Sequence, residues 1–241
     1  MTLYRPAHVR PIAAGSPVSW HWEDRDPVAA YEPGDEVVAS RLGPLARRAQ
    51  LALGVAIGEW IVFTLDELDS DTWLRDYLEA AWLGTVHFSC CPYMEFADEE
   101  WTGPVRGPLH LTMMLLNDAL HFEGAEPAEN AAWLSTLAQL IVPRDAGYLA
   151  WRDAVLDRLE RSFPAVPEDE EDVEFDWQAA EPLVPRECFD LSTPFDAADS
   201  AELVRRRFAE VDWEANAFMS TPEERQEAGV VVPVLETPSA E

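Results

Sequence analysis

Residues 49–63 read Ala49-Gln50-Leu51-Ala52-Leu53-Gly54-Val55-Ala56-Ile57-Gly58-Glu59-Trp60-Ile61-Val62-Phe63, and their reading decides the fold. Only Gln50, Gly54, Gly58 and Glu59 interrupt the apolar run. A helix built from it has no polar face, so it must be enclosed by other helices or lie in a membrane. The run falls short of the roughly 18 to 20 residues of a span and carries a carboxylate inside it. The reading is therefore a central buried helix over residues 45–65, with no membrane expected. Gly54 and Gly58, one turn apart, predict that a neighbouring helix approaches that face closely. Glu59 is expected either to have a raised pKa, as active-site carboxylates do, or to pair with a buried arginine.

Helical spacing recurs on both sides of this segment. A short helix begins near Glu36 and breaks at Gly43-Pro44. Residues 71–83 carry Leu74, Tyr77, Leu78, Ala81 and Trp82 on one stripe, with Ser70 placed to cap and Gly84 to stop. Residues 85–93 read as a β-like or looped passage and residues 94–107 as turns, because of Gly103-Pro104 and Gly107-Pro108. Helices follow over 109–122, over 127–142 with Pro127 in the first turn, and over 145–163, where Asp157 and Arg161 form an i,i+4 pair. A last helix over 200–211 has Asp199 as its cap and Glu202 three residues on. Val230, Val231 and Val232 suggest a short extended segment. Trp73, Trp82, Trp133 and Trp151 sit on helical stripes and are assigned to the core.

The fold class is accordingly all-α and mainly helical, a single helical-bundle-like domain with an irregular N-terminal arm and an acidic C-terminal extension. The expected organisation is an arm over 1–35, a helical core over 36–163, an acidic proline-rich connector over 164–186, and a C-terminal helix and tail over 187–241.

Charge narrows the function. The chain carries a formal charge of −29, and all 17 basic residues are arginines, a bias matching the Ala-, Arg- and Pro-rich usage of a GC-rich bacterial genome. Residues 1–50 hold six arginines and six acids, which leaves 11 arginines against 40 acids beyond them. Phosphate backbones need a basic footprint, so nucleic acid is not expected as a direct ligand, and a basic protein is the natural opposite. Three cysteines, Cys90, Cys91 and Cys188, form no even disulfide framework. The first twenty residues contain Pro6, Pro11 and Pro17 and no apolar signal core, so a reducing cytoplasm is expected.

No phosphate loop, dinucleotide fingerprint, nucleophile elbow or paired-histidine zinc motif occurs. The weak metal candidates are His87, Cys90 and Cys91, whose spacing suits a tetrahedral site poorly, and neither a metal nor a cofactor is expected. Asn117 and Asp118 lie close enough to His121 on a helix to orient it as a general base, without a recognisable nucleophile beside it. Two stretches join acids to aromatics: Asp98, Glu99, Glu100 and Trp101, and then Glu168, Asp169, Glu170, Glu171, Asp172, Glu174, Phe175, Asp176 and Trp177. Carboxylates around a large aromatic resemble the anchor of a protein-binding surface, although such an aromatic can equally fold back onto the body.

The composition therefore predicts a non-enzymatic acidic protein-binding protein. Its concrete form is an immunity or inhibitor protein that neutralises a bacterial toxin with a basic surface. The alternatives are an enzyme with an unrecognised His/carboxylate or metal site, and a DNA mimic.

Overall fold

The computed structural model describes residues 3–69, 71–95, 101–122, 126–165 and 180–230. Among them are eight α-helices: α1 (Glu36–Leu42), α2 (Arg47–Leu65), α3 (Trp73–Gly84), α4 (Gly103–His121), α5 (Pro127–Ile141), α6 (Tyr148–Ser162), α7 (Ser200–Glu210) and α8 (Pro222–Glu227). No β-sheet forms among the described residues, and the only β pairing there is an isolated bridge between Leu45 and Pro164. The protein is all-α.

Helix α2 is the axis. Every residue from 48 to 65 is buried, and α5, α4 and α3 pack around it. By length and composition α2 could cross a membrane, yet the whole of it is enclosed by the rest of the chain. The close approach expected at the glycines is made by α4 and α3. A Cβ on Gly58 would lie 3.0 Å from a methyl of Leu116 and 3.2 Å from one of Leu78.

A buried polar hub ties α1, α5 and α6 together. Asp35 caps α1 by accepting the N–H groups of Val37 and Val38. Its other oxygen accepts from Ser135 at 2.7 Å, from Gln139 at 2.8 Å and from Arg152 at 2.6 Å. Tyr148 completes the hub by donating to the Ser135 hydroxyl at 2.8 Å. A buried carboxylate is tolerated because its lone pairs are satisfied and a guanidinium neutralises it.

Several expected boundaries move. Helix α4 begins at Gly103, so residues 103–107 are its first turns and not a loop; Pro104 tolerates that position because the first helical N–H groups have no intrahelical partner. Pro108 lies inside the helix, where its missing N–H frees the carbonyl of Pro104. Trp20 of the arm fills that vacancy, donating its indole N–H to Pro104 at 2.9 Å. Trp22 lies against Gly107, where a Cβ would come within 2.3 Å of the ring. The Trp20-His21-Trp22 arm is thus seated on a helix start shaped by proline and glycine.

The expected helix over 145–163 splits. Residues 144–146 form a 3-10 turn, and Gly147, with φ of +87°, turns the chain into α6. Asp157 pairs with Arg41 of α1 and not with Arg161. The Ser70 cap lies outside the described residues, and the Trp73 N–H is met by Asp71 at 3.0 Å. At α7 Asp199 makes no side-chain cap, because it ends the Ala197–Asp199 3-10 turn in a helical conformation and not the extended one of a cap, and Glu202 pairs instead with Arg205. A capping box does form further on, at Thr221 and Glu224 of α8. Val231 and Val232 lie outside the described residues. Trp73 is 48% exposed, edge-on to Phe218, and so is not a core residue.

Replacing Asp35 by Ala removes the α1 cap and leaves Arg152 buried without its main partner, and should cost about 3 to 5 kcal/mol in urea unfolding. Gly107→Ala should lift Trp22 from α4 and expose the arm to limited proteolysis while the helical circular dichroism stays near wild type.

Candidate functional site

The two buried charged residues of α2, Arg48 and Glu59, position the most distinctive chemistry of the molecule. Arg48 donates to the carbonyls of Thr85 at 3.0 Å and Val86 at 2.9 Å, placing its charge at the carbonyl end of α3, where a cation is favoured. Glu181 accepts the N–H groups of Arg47 and Arg48, both at 2.7 Å, and so stands as an anion at the α2 N-terminus. This acid, which the sequence assigned to an acidic connector, is a helix cap supplied from 133 residues away.

Glu59 is the other charged one, and the structure shows both of its expected fates, the pairing with an arginine and a raised carboxyl pKa. Arg186 donates to it at 2.6 Å and the Trp82 indole at 2.8 Å. Burial pushes its carboxyl above the ordinary carboxylate range, and Arg186 and Trp82 only partly oppose the shift. A parallel pair stands nearby, in which Arg207 of α7 meets the buried Glu79 of α3. Burial raises that carboxyl as well, with Arg207 opposing.

These pairs back a groove. One part, a cleft of about 330 Å³, lies between α3, α7 and the 184–187 segment, with Trp82, Val204 and Phe208 in its wall and Arg186, Arg206 and Arg207 lining it. A second part, of about 190 Å³, continues past Arg186 to Tyr4 and His8 of the arm. Arg186 lies over the Tyr4 ring at 4.4 Å and donates to the Tyr4 carbonyl at 2.6 Å, so a partly buried charge holds the arm in place. His8 sits against Trp60 and Trp151, and burial lowers its pKa while the Asp190 charge opposes. Ser192 also borders this region, but its hydroxyl donates to Asp190 at 2.6 Å, so it is not primed as a nucleophile by the imidazole.

The sequence-selected residues fare differently. Asp98, Glu99 and Glu100, and the stretch from Glu168 to Trp177, lie outside the described residues. Trp101 is folded onto the body: it is 8% exposed, stacked on His110 at 5.9 Å, with the Arg106 guanidinium 4.3 Å from its ring centre. Asn117 grips the backbone of Met94, donating to its carbonyl and accepting its N–H, both at 3.2 Å. It is a structural clamp, and no side-chain hydrogen bond joins it or Asp118 to His121 among the described residues. Nδ1 of His87 accepts the Ser89 N–H at 3.2 Å, and no group of three His, Cys, Asp or Glu side chains converges among the described residues.

Sequence reasoning did not single out the aromatics around His121. Phe88, Tyr93 and Phe122 are 45%, 58% and 67% exposed, and the first two stand edge-on to the His121 ring. Their mixed neighbourhood, with no helical stripe, gave no periodic signal.

Arg186→Met should destabilise the protein by about 3 to 5 kcal/mol at neutral pH, because it leaves Glu59 buried and uncompensated. Its carboxyl pKa would rise further, so the native state would hold a proton that the unfolded state releases. Stability of the variant relative to wild type should therefore fall as pH rises through and above the carboxylate range, which urea unfolding at acid and neutral pH would measure. The buried thiols of Cys90, Cys91 and Cys188, each pushed up to about 12 by desolvation, should resist a thiol reagent at neutral pH until denaturant is added. Comparison of the chain with protein-family models, curated proteins and solved structures returned no match, so the chemistry of these residues is the guide to function.

Proposed function

We propose that this chain is a non-enzymatic acidic protein that binds a basic protein partner, and that its concrete role is that of an inhibitor or immunity protein neutralising a toxin with a basic surface in a reducing cytoplasm. The observation that carries this reading is where the arginines go. Arg48, Arg152, Arg186 and Arg207 face buried carboxylates or carbonyls, and Arg41, Arg75 and Arg106 pair with acids of their own chain. These seven of the 17 arginines are engaged within the fold, and the exposed ones that remain, such as Arg5, Arg10, Arg25, Arg144 and Arg161, are far outnumbered by the 46 acids. The exterior is left to acids such as Glu126, Glu129, Glu214, Glu223 and Glu227, which are exposed and make no ion pair among the described residues. Such a field accelerates encounter with a basic partner and selects against acidic ones.

Lasting affinity needs apolar anchors, and the exposed cluster of Phe88, Tyr93 and Phe122 supports the reading. In sequence Tyr93 precedes the acidic run at 98–100 by only a few residues.

The test is to purify the product of the neighbouring gene, to establish whether it is basic, and to follow its association with this chain kinetically at several salt concentrations. Replacing Glu168, Asp169, Glu170 and Glu171 by Gln should slow association and flatten its salt dependence, since screened charges lose their reach beyond about 8 to 10 Å. Trp177→Ala and Phe122→Ala should leave association nearly unchanged and speed dissociation, by an amount worth about 2 kcal/mol for a true anchor. Association that is indifferent to salt and to these acids would overturn the reading.

A further inference from the structure

Beyond residue 50 the chain sets 11 arginines against 40 acids, yet three of those arginines stand together on α7 as Arg205, Arg206 and Arg207. Arg205 turns along its own helix to Glu202, while Arg206 and Arg207 line the cleft against α3, joined by Arg186 from the facing segment. Three guanidiniums therefore meet at a concave apolar surface in the acid-rich part of the molecule. The volume of about 330 Å³ is that of a small-molecule site.

Two of the three have a structural duty that leaves donors over. A guanidinium offers five N–H groups in a fixed fork. Arg186 commits Nε to Glu59 and Nη2 to the Tyr4 carbonyl, and Arg207 commits Nη2 to Glu79. Nη1 of each has no hydrogen-bond partner among the described residues. Glu59 and Glu79, 3% and 4% exposed, lie behind these guanidiniums and fix their orientation. A ligand would find them already placed and would not bear the entropy of ordering them.

Arg206 has no comparable duty. Its side chain is 55% exposed, and its one ion pair among the described residues is a 3.7 Å contact with the half-exposed Glu187, too long for a hydrogen bond and worth little to the fold. The same cleft is lined by the Trp82 ring with Val184, Val204 and Phe208, all largely buried apolar side chains. Tyr4, 57% exposed under Arg186, forms the lip.

We propose that this cleft binds a small amphipathic monoanion, a carboxylate or sulfonate carried on an aromatic or short aliphatic body. The body lies against Trp82, Val204 and Phe208, and the acid group is met by Arg206 together with the unused donors of Arg186 and Arg207. Glu187 and Glu210 border the same cleft, so a second negative charge on the ligand would be repelled. The overall charge of the chain opposes any anion, so the apolar body supplies most of the affinity and the guanidiniums supply the selection.

Two fluorescent probes of nearly the same shape separate these contributions: anilinonaphthalene sulfonate, which carries the charge, and phenylnaphthylamine, which lacks it. The sulfonate should bind saturably with a stoichiometry of one and more tightly than the neutral amine, and octanoate should displace it. Arg206→Gln, which touches no buried group, should weaken the sulfonate about tenfold, the usual worth of a charge-assisted hydrogen bond, and leave the amine unchanged. Leu203→Trp, filling the cleft from its rim, should weaken both probes, with circular dichroism confirming the fold. Phe122→Ser, in the exposed aromatic cluster elsewhere, should weaken neither. No saturable binding, equal affinity for the two probes, sulfonate affinity indifferent to Arg206, or binding lost in Phe122→Ser would each overturn the proposal.

Discussion

The whole arrangement depends on enclosing a helix that has no polar face. Once residues 48 to 65 must leave water together, no single neighbour can cover them, and α3, α4 and α5 are required on separate sides. The glycines set how near those neighbours come. At Gly58 the methyls of Leu116 and Leu78 occupy the space that a side chain would take.

That enclosure also creates the chemistry. Two charged residues, Arg48 and Glu59, are carried inside with the apolar ones, and buried charge must be matched. Nothing on the adjoining helices supplies the matching groups in full. Glu181 and Arg186 come from the chain beyond residue 180 to do it, and Arg207 makes the equivalent contact with Glu79 on α3. The chain from 180 to 230 is therefore bound to the core by ion pairs as well as by Val184, Cys188 and Phe189, and a groove is left where it crosses α3. Arg158 strengthens the same seam from α6 by donating to the carbonyls of Cys188 at 2.9 Å and Asp190 at 3.0 Å.

Internal use of arginine explains the surface. A chain with few cations that sets Arg48, Arg152, Arg186 and Arg207 against its own buried acids and carbonyls has fewer left to neutralise its exterior. The exposed acids thus follow from the core as well as from composition, and they are what the proposed partner would meet. In the proposed complex the aromatic cluster around His121 would add the apolar contact that charge alone lacks.

The all-α class, the buried central helix and the run of helices from residue 36 to 163 were legible in the sequence, because 3.6-residue apolar spacing is local information. So was the pairing of Glu59 with an arginine, since a carboxylate in an apolar run demands a partner. Which arginine could not be read: Arg186 is 127 residues away, and nothing local distinguishes it from the others. For the same reason Glu181 read as a member of an acidic tract, although it caps α2, and Trp73 read as core, although its stripe runs out at the edge of the bundle. Helix α4 starts at Gly103 because Trp20 accepts the task of satisfying the carbonyl that Pro108 leaves open, a contact across 84 residues. Periodicity determines which segments become helices and which faces turn inward. Only the packed chain decides which distant polar groups meet, because that choice depends on where the folded backbone brings them.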